Sequence, residues 1–200
     1  RGYHQKYPNI TALHSIGTTH LGREILALRI TDNPTEEEGE PAVLLNAAHH
    51  GGELLSTEYA LDAMRFILEN HASSGRVQGW VSALDIWLIP LVNPDSNWRY
   101  MRVSRKCDRK NARDTNGDGY LEVSEGVDLN RNYPFRWGTG EVPSRGWHRS
   151  SYYRGPSGGS EPETKAMMAL ADERHFAAAI SWHTSSTKIL TPYTIDGVKN

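Results

Sequence analysis

Apolar and polar positions along the chain resolve into short apolar runs separated by stretches of helical spacing. Residues 23–31 (REILALRIT) alternate enough to predict a strand, and the acidic stretch 32–40 then reads as a solvated hairpin loop. Residues 42–48 form an apolar run that predicts a buried strand. Beyond Glu53, the apolar residues Ala60, Ala63, Met64, Ile67 and Leu68 fall at helical spacing. Residues 82–92 (SALDIWLIPLV) and 176–182 (FAAAISW) predict further buried strands, and residues 188–193 a last one. Before the second of these, Ser160-Glu161-Pro162-Glu163 has the form of a capping box, in which Ser160 caps a helix and Glu163 reaches back. That helix runs on through Met167, Met168 and Leu170. Between them, residues 96–159 are rich in Gly, Arg, Asn, Asp and Ser and show little periodicity; a loop region of that length in a compact domain is usually functional.

Strands alternating with helices predict an α/β fold, with a mixed, mostly parallel central sheet covered by helices on both faces. With 200 residues, 38% of them apolar, the chain suits one domain, residues 1–200, and no internal repeat divides it. In such folds ligands gather beyond the carboxyl ends of the strands. A net charge of −2 gives no electrostatic footprint for nucleic acid or a membrane surface, and no apolar stretch approaches the ~20 residues that span a bilayer. Cys107 stands alone, so no internal disulfide forms.

His50-Gly51-Gly52-Glu53 follows one predicted strand and His183 another. Two histidines and a carboxylate are the ligand count of a catalytic zinc, which keeps its fourth position for water. His49 competes with His50 for the ligand role, and a His-x-x-Glu pair by itself is equally a polar strand-to-helix turn. The long loop adds Arg109-Lys110-Asn111 and Asp128-Leu129-Asn130-Arg131-Asn132-Tyr133. Arginine binds a carboxylate with two parallel hydrogen bonds and stays charged at any working pH. One guanidinium on a terminal carboxylate and another on a developing oxyanion would serve an exopeptidase, although most arginines are simply solvated.

Taken together with Gly22-Arg23, Asn93-Pro94-Asp95, Tyr153-Arg154-Gly155, Ser160-Glu161-Pro162-Glu163-Thr164 and Ser181-Trp182-His183-Thr184, these motifs make the chain resemble the zinc metallocarboxypeptidases of the carboxypeptidase A type, over roughly residues 7 to 193. The resemblance implies one Zn²⁺ on His50, Glu53 and His183. It implies that Asn130 and Arg131 hold the substrate's C-terminal carboxylate and that Arg109 polarises the scissile carbonyl. The substrates it implies are peptide and protein C-termini. The sequence departs from that pattern at Gly52, where many members carry arginine. The general-base glutamate and substrate-clamping tyrosine of the family lie well past the second zinc histidine, so they are expected beyond Asn200. The chain therefore reads as a fragment, incomplete at both ends and monomeric or associated with a C-terminal segment outside it, with little activity as it stands. A zinc amidase or acylase of related fold and a non-catalytic metal-dependent binding module are the alternatives.

A second metal motif lies at residues 114–125. Asp114, Asn116, Asp118, the Tyr120 carbonyl, Glu122 and Glu125 match the ligand positions of a twelve-residue calcium loop, and Gly119 matches its turn. The flanks lack the two amphipathic helices of an EF-hand, so a structural Ca²⁺ loop inserted in the enzyme is expected. Such a loop and a peptidase activity both suit a secreted or periplasmic protein.

Overall fold

The computed structural model describes residues 1–139, 146–184 and 188–191. Its centre is a five-stranded sheet in the order β1-β2-β4-β3-β5, built from β1 (Thr11–Thr18), β2 (Glu24–Ile30), β3 (Ala42–Ala47), β4 (Asp85–Ile89) and β5 (Ala178–Trp182). The sheet is mixed: β1–β2 and β2–β4 are antiparallel, while β4–β3 and β3–β5 are parallel. Because β4 lies between β2 and β3, the acidic stretch 32–40 is a crossover and not a hairpin.

Strand alternation sends successive side chains to opposite faces, and each face has its own core. Ile25, Ala27, Trp87 and Ile89 face Ala166, Met167 and Leu170 of helix α5 (Pro162–Arg174). Their neighbours Leu28, Ile30, Ile86 and Leu88 face Met64, Ile67 and Leu68 of α2 (Leu54–Asn70) and Val77 and Val81 of α3 (Gly75–Val81). Helices therefore cover both faces, as the strand–helix alternation predicts. A short α1 (Gly2–Lys6) precedes β1, and α4 (Pro94–Arg102) lies within the stretch that shows no sequence periodicity. No helix among the described residues is long and apolar enough to cross a membrane.

Three expectations change. Four of the five residues of β5 are exposed, because the strand pairs only with β3 and forms the sheet edge among the described residues. Residues 188–191 form no strand, and residues 192 and 193 lie outside the described residues. The capping box does not form. Glu161 occupies the N-cap position of α5 without a side-chain cap, Ser160 Oγ donates to Glu161 Oε1 at 2.6 Å, and Glu163 Oε2 accepts from Asn111 Nδ2 at 2.9 Å. A long-range donor has taken the carboxylate that local spacing assigns to the helix end.

Candidate metal centre

β3 ends at Ala47, and Ala48 turns the chain with a φ of +57°. A left-handed alanine is strained, and it is held by its neighbours. Asn93 donates from its backbone to Ala48 O at 3.1 Å and from Nδ2 to His49 O at 2.9 Å. Ser96 Oγ accepts from Gly51 N at 3.2 Å, and Asn97 Nδ2 donates to Gly51 O at 2.9 Å. The start of α4 thus grips the turn that carries His50. Asp95, fully buried, is in turn locked by Arg23 at 2.8 Å and by Leu21 N at 2.9 Å.

His50, Glu53 and His183 converge beyond the ends of β3 and β5. Each offers a ligand atom within 4.8 Å of the other two, and the two imidazole centroids are 5.0 Å apart. His50 Nδ1 lies 2.7 Å from Glu53 Oε1, and His183 Nδ1 lies 2.8 Å from Glu53 Oε2. Thr184 N donates to the same oxygen at 3.0 Å. Burial alone would raise the Glu53 pKa, but hydrogen bonds from His183 and His50 outweigh it and hold the carboxyl at about 2. The carboxylate is therefore ionised, as a metal ligand must be. His49 does not join the group: its Nε2 meets Tyr133 Oη at 2.8 Å, and burial drives its pKa down to about 3. Two nitrogens, a carboxylate and partial burial fit the ligand preferences of zinc.

Asp128, which the sequence assigns no role, binds the site together. Its Oδ1 lies 3.2 Å from His50 Nε2, and its Oδ2 accepts from Arg109 Nε at 2.8 Å and from a terminal guanidinium nitrogen at 2.6 Å. A histidine ligand usually gives its second nitrogen to a carboxylate, which fixes ring orientation and basicity. Here the same carboxylate fixes Arg109. Burial pushes the Asp128 pKa up, but His50 and Arg109 bring it below the ordinary value. Asn130 N also donates to Asp128 Oδ1 at 3.1 Å, and Asn130 Nδ2 lies 3.2 Å from His183 Nε2. Tyr152 is a second residue the sequence leaves unmarked. Its ring lies 4.6 Å below the Arg109 guanidinium and 5.8 Å from that of Arg131. Arg109, Asn130 and Arg131 thus sit beside the His50–Glu53–His183 group.

Gly52 also has its explanation. Its N donates to Asp108 O at 2.7 Å, and a Cβ there would lie 2.5 Å from Asp108 Cβ. The approach of the Asp108 backbone excludes any side chain, so the departure from arginine is built into the loop packing.

The 114–125 loop has its side chains turned inward onto its own amides. Asp114 accepts from Gly117 N at 2.7 Å and Gly119 N at 2.9 Å, and Glu125 Oε1 accepts from Thr115 N at 3.0 Å and Asn116 N at 3.1 Å. Its acids do not form a group of three with ligand atoms within 4.8 Å. The loop is tied to the site's supports: Arg99 Nη2 donates to Glu122 O at 2.5 Å and Arg99 Nη1 to Asn111 O at 3.1 Å, while Lys110 Nζ donates to Ser124 O.

A sequence profile of the zinc carboxypeptidase family matches residues 1–198, and the chain belongs to that family. It is 30% identical over 196 residues to a zinc carboxypeptidase of Saccharothrix mutabilis subsp. capreolus, covering 94% of this chain and 43% of that protein. Its fold matches that of carboxypeptidase A from Helicoverpa armigera with a TM-score of 0.79 at 24% identity, covering 92% of this chain and 43% of the other. It also matches the murein-tripeptide amidase MpaA of Escherichia coli O157, with a TM-score of 0.54 at 25% identity over 86% of this chain and 60% of that one. The chain thus spans less than half the length of the curated relatives it matches, 43% and 40% for two of them.

Proposed function

We propose that the chain carries the zinc-binding and carboxylate-recognition half of a metallocarboxypeptidase that hydrolyses the C-terminal bond of peptides. The observation that carries the reading is the joining of His50 and Arg109 through one buried carboxylate, Asp128. Such a link supports a fixed offset between His50 and the Arg109 guanidinium, which suits polarisation of one carbonyl.

Zinc on His50, Glu53 and His183 would supply a Lewis acid and a water acidified to a pKa of roughly 7. Arg109, held by Asp128 and stacked on Tyr152, donates to the scissile carbonyl oxygen as negative charge develops on it. Asn130 and Arg131 clamp the free terminal carboxylate and so select the last residue. Asp128 keeps His50 in one tautomer and orientation. We assign the carboxylate that moves the proton to the region of the relatives that the match does not cover, 43% of one of them being covered.

The test uses the full-length parent protein on blocked dipeptides with a free or an amidated C-terminus. Cleavage is expected only of the free acid. Arg131→Ala should lower kcat/KM by about ten- to a hundredfold, the loss of a charged hydrogen-bond pair. Equal cleavage of the amidated peptide would favour the amidase reading, and no cleavage of either the binding-module reading.

We also infer that the 114–125 loop takes calcium, in a secreted or periplasmic setting where that ion is plentiful. The twelve-position ligand pattern supports this, as do Gly117 and Gly119 at φ of +77° and +82°. Calcium would stiffen the segment between Arg109 and Asn130. Adding EGTA is expected to lower the melting temperature by several degrees and to weaken substrate binding. An unchanged melting temperature would exclude a structural calcium.

A further inference from the structure

Outside the His50 centre, one more group among the described residues combines a histidine with two carboxylates whose ligand atoms all lie within 4.8 Å of one another: His20, Glu161 and Glu163. We propose that these three residues form a second, structural site for a zinc-type divalent cation, independent of the first.

The group is assembled from parts of the chain 141 positions apart. His20 lies in the turn after β1, and the glutamates open α5. Both glutamates are fully buried, whereas the His20 ring reaches the surface. His20 Nε2 lies 2.9 Å from Glu161 Oε2. The corresponding His–carboxylate distances in the His50 group are 2.7 and 2.8 Å. Ligand atoms on a tetrahedral zinc with bonds near 2.0–2.1 Å stand roughly 3.4 Å apart, so both groups need open by only a fraction of an ångström. His20 has the freedom to do so, being at the surface.

The surrounding donors orient the carboxylates as outer partners of a metal site do. Arg113 Nη1 and Ser160 Oγ hold Glu161 Oε1 at 3.0 and 2.6 Å, leaving Oε2 toward His20. Asn111 Nδ2 donates to Oε2 of Glu161 and to Oε2 of Glu163, each at 2.9 Å. Glu163 Oε1 is buried and has no hydrogen-bond partner. A desolvated carboxylate oxygen without a donor is costly. Such an oxygen is relieved by a proton or by a cation. One imidazole nitrogen and two carboxylates form a mixed N/O ligand set, which suits zinc better than calcium or magnesium, ions that prefer all-oxygen sites. The ion would pin the turn after β1 to the start of α5. Through Asn111 it would also brace the segment that carries Arg109.

The experiment titrates the metal-stripped chain with Zn²⁺ by calorimetry, with calcium in excess to occupy the 114–125 loop. Wild type should bind two zinc ions. His20→Ala and Glu163→Gln should each bind one, as should Glu53→Gln, and the His20→Ala/Glu53→Gln double variant none. Glu163→Gln is isosteric, and the surface location of His20 makes its alanine variant compatible with folding; circular dichroism melts would verify both. A wild type that binds a single zinc, lost in Glu53→Gln and kept in His20→Ala, would overturn the proposal and leave the first centre standing. A single zinc lost in His20→Ala and kept in Glu53→Gln would support the second site and remove the first.

Discussion

His183→Ala lowers zinc affinity by at least about a hundredfold. Loss of a partner that only touches a ligand already costs about tenfold to a hundredfold, and in the proposed site His183 is itself a ligand. Its removal takes one nitrogen from the group and leaves Glu53 Oε2 with the Thr184 amide as its remaining donor. Two ligands from one short segment, His50 and Glu53, cannot enclose the ion. Competition against a chromophoric chelator measures the affinity, with the melting curve confirming that the sheet persists. β5 pairs with β3 through its backbone, so truncating a side chain past its end leaves that pairing intact. Affinity within a few-fold of wild type would remove His183 from the ligand set.

Gly51→Ala destabilises the chain by about 3 kcal/mol or more, a large share of the roughly 5–15 kcal/mol that holds a domain folded. A Cβ at Gly51 would lie 2.1 Å from Asn97 N and 2.5 Å from Ser96 C. Both are backbone atoms of α4, so no rotamer change relieves the clash. Either α4 moves away or the turn does, and the turn carries His50 and is held by Ser96 and Asn97. Zinc affinity should therefore fall along with stability. Urea denaturation gives the stability change. Gly79→Ala is the control: that glycine sits in α3 with nothing within 4 Å of an added Cβ, and helix propensity alone should stabilise it by up to about 1 kcal/mol. A Gly51→Ala loss below about 1 kcal/mol would mean that the turn is looser than described.

What the sequence made legible follows from where its apolar residues fall. β2 announces itself by alternation, β3 and β4 as apolar runs, and α2 as an apolar stripe. β1 (TALHSIGT) is mostly half-buried, and its polar residues hide it. α4 (PDSNWRYMR) buries Asp95, Ser96 and Arg99 rather than an apolar stripe, so periodicity cannot reveal it. α3 (GRVQGWV) is obscured by two glycines. The His50–Glu53–His183 group is legible because short motifs carry these residues to strand ends. Asp128 stood inside a motif, but its link to His50 spans 78 positions and is set by packing. Glu163 looked like a local cap because the spacing to Ser160 is right, and only the fold shows that Asn111 has claimed it. His20 carries no motif, and its meeting with Glu161 across the chain follows from the docking of α5 on β1 and β2.

The most direct measurement is the anomalous diffraction of zinc-grown crystals, recorded on both sides of the zinc absorption edge. The account requires a peak within about 2.0–2.2 Å of His50 Nδ1, His183 Nδ1 and a Glu53 oxygen together. A His50 centre whose own zinc peak is missing, or lies more than about 3 Å from any one of the three, well beyond a coordination bond, would contradict it.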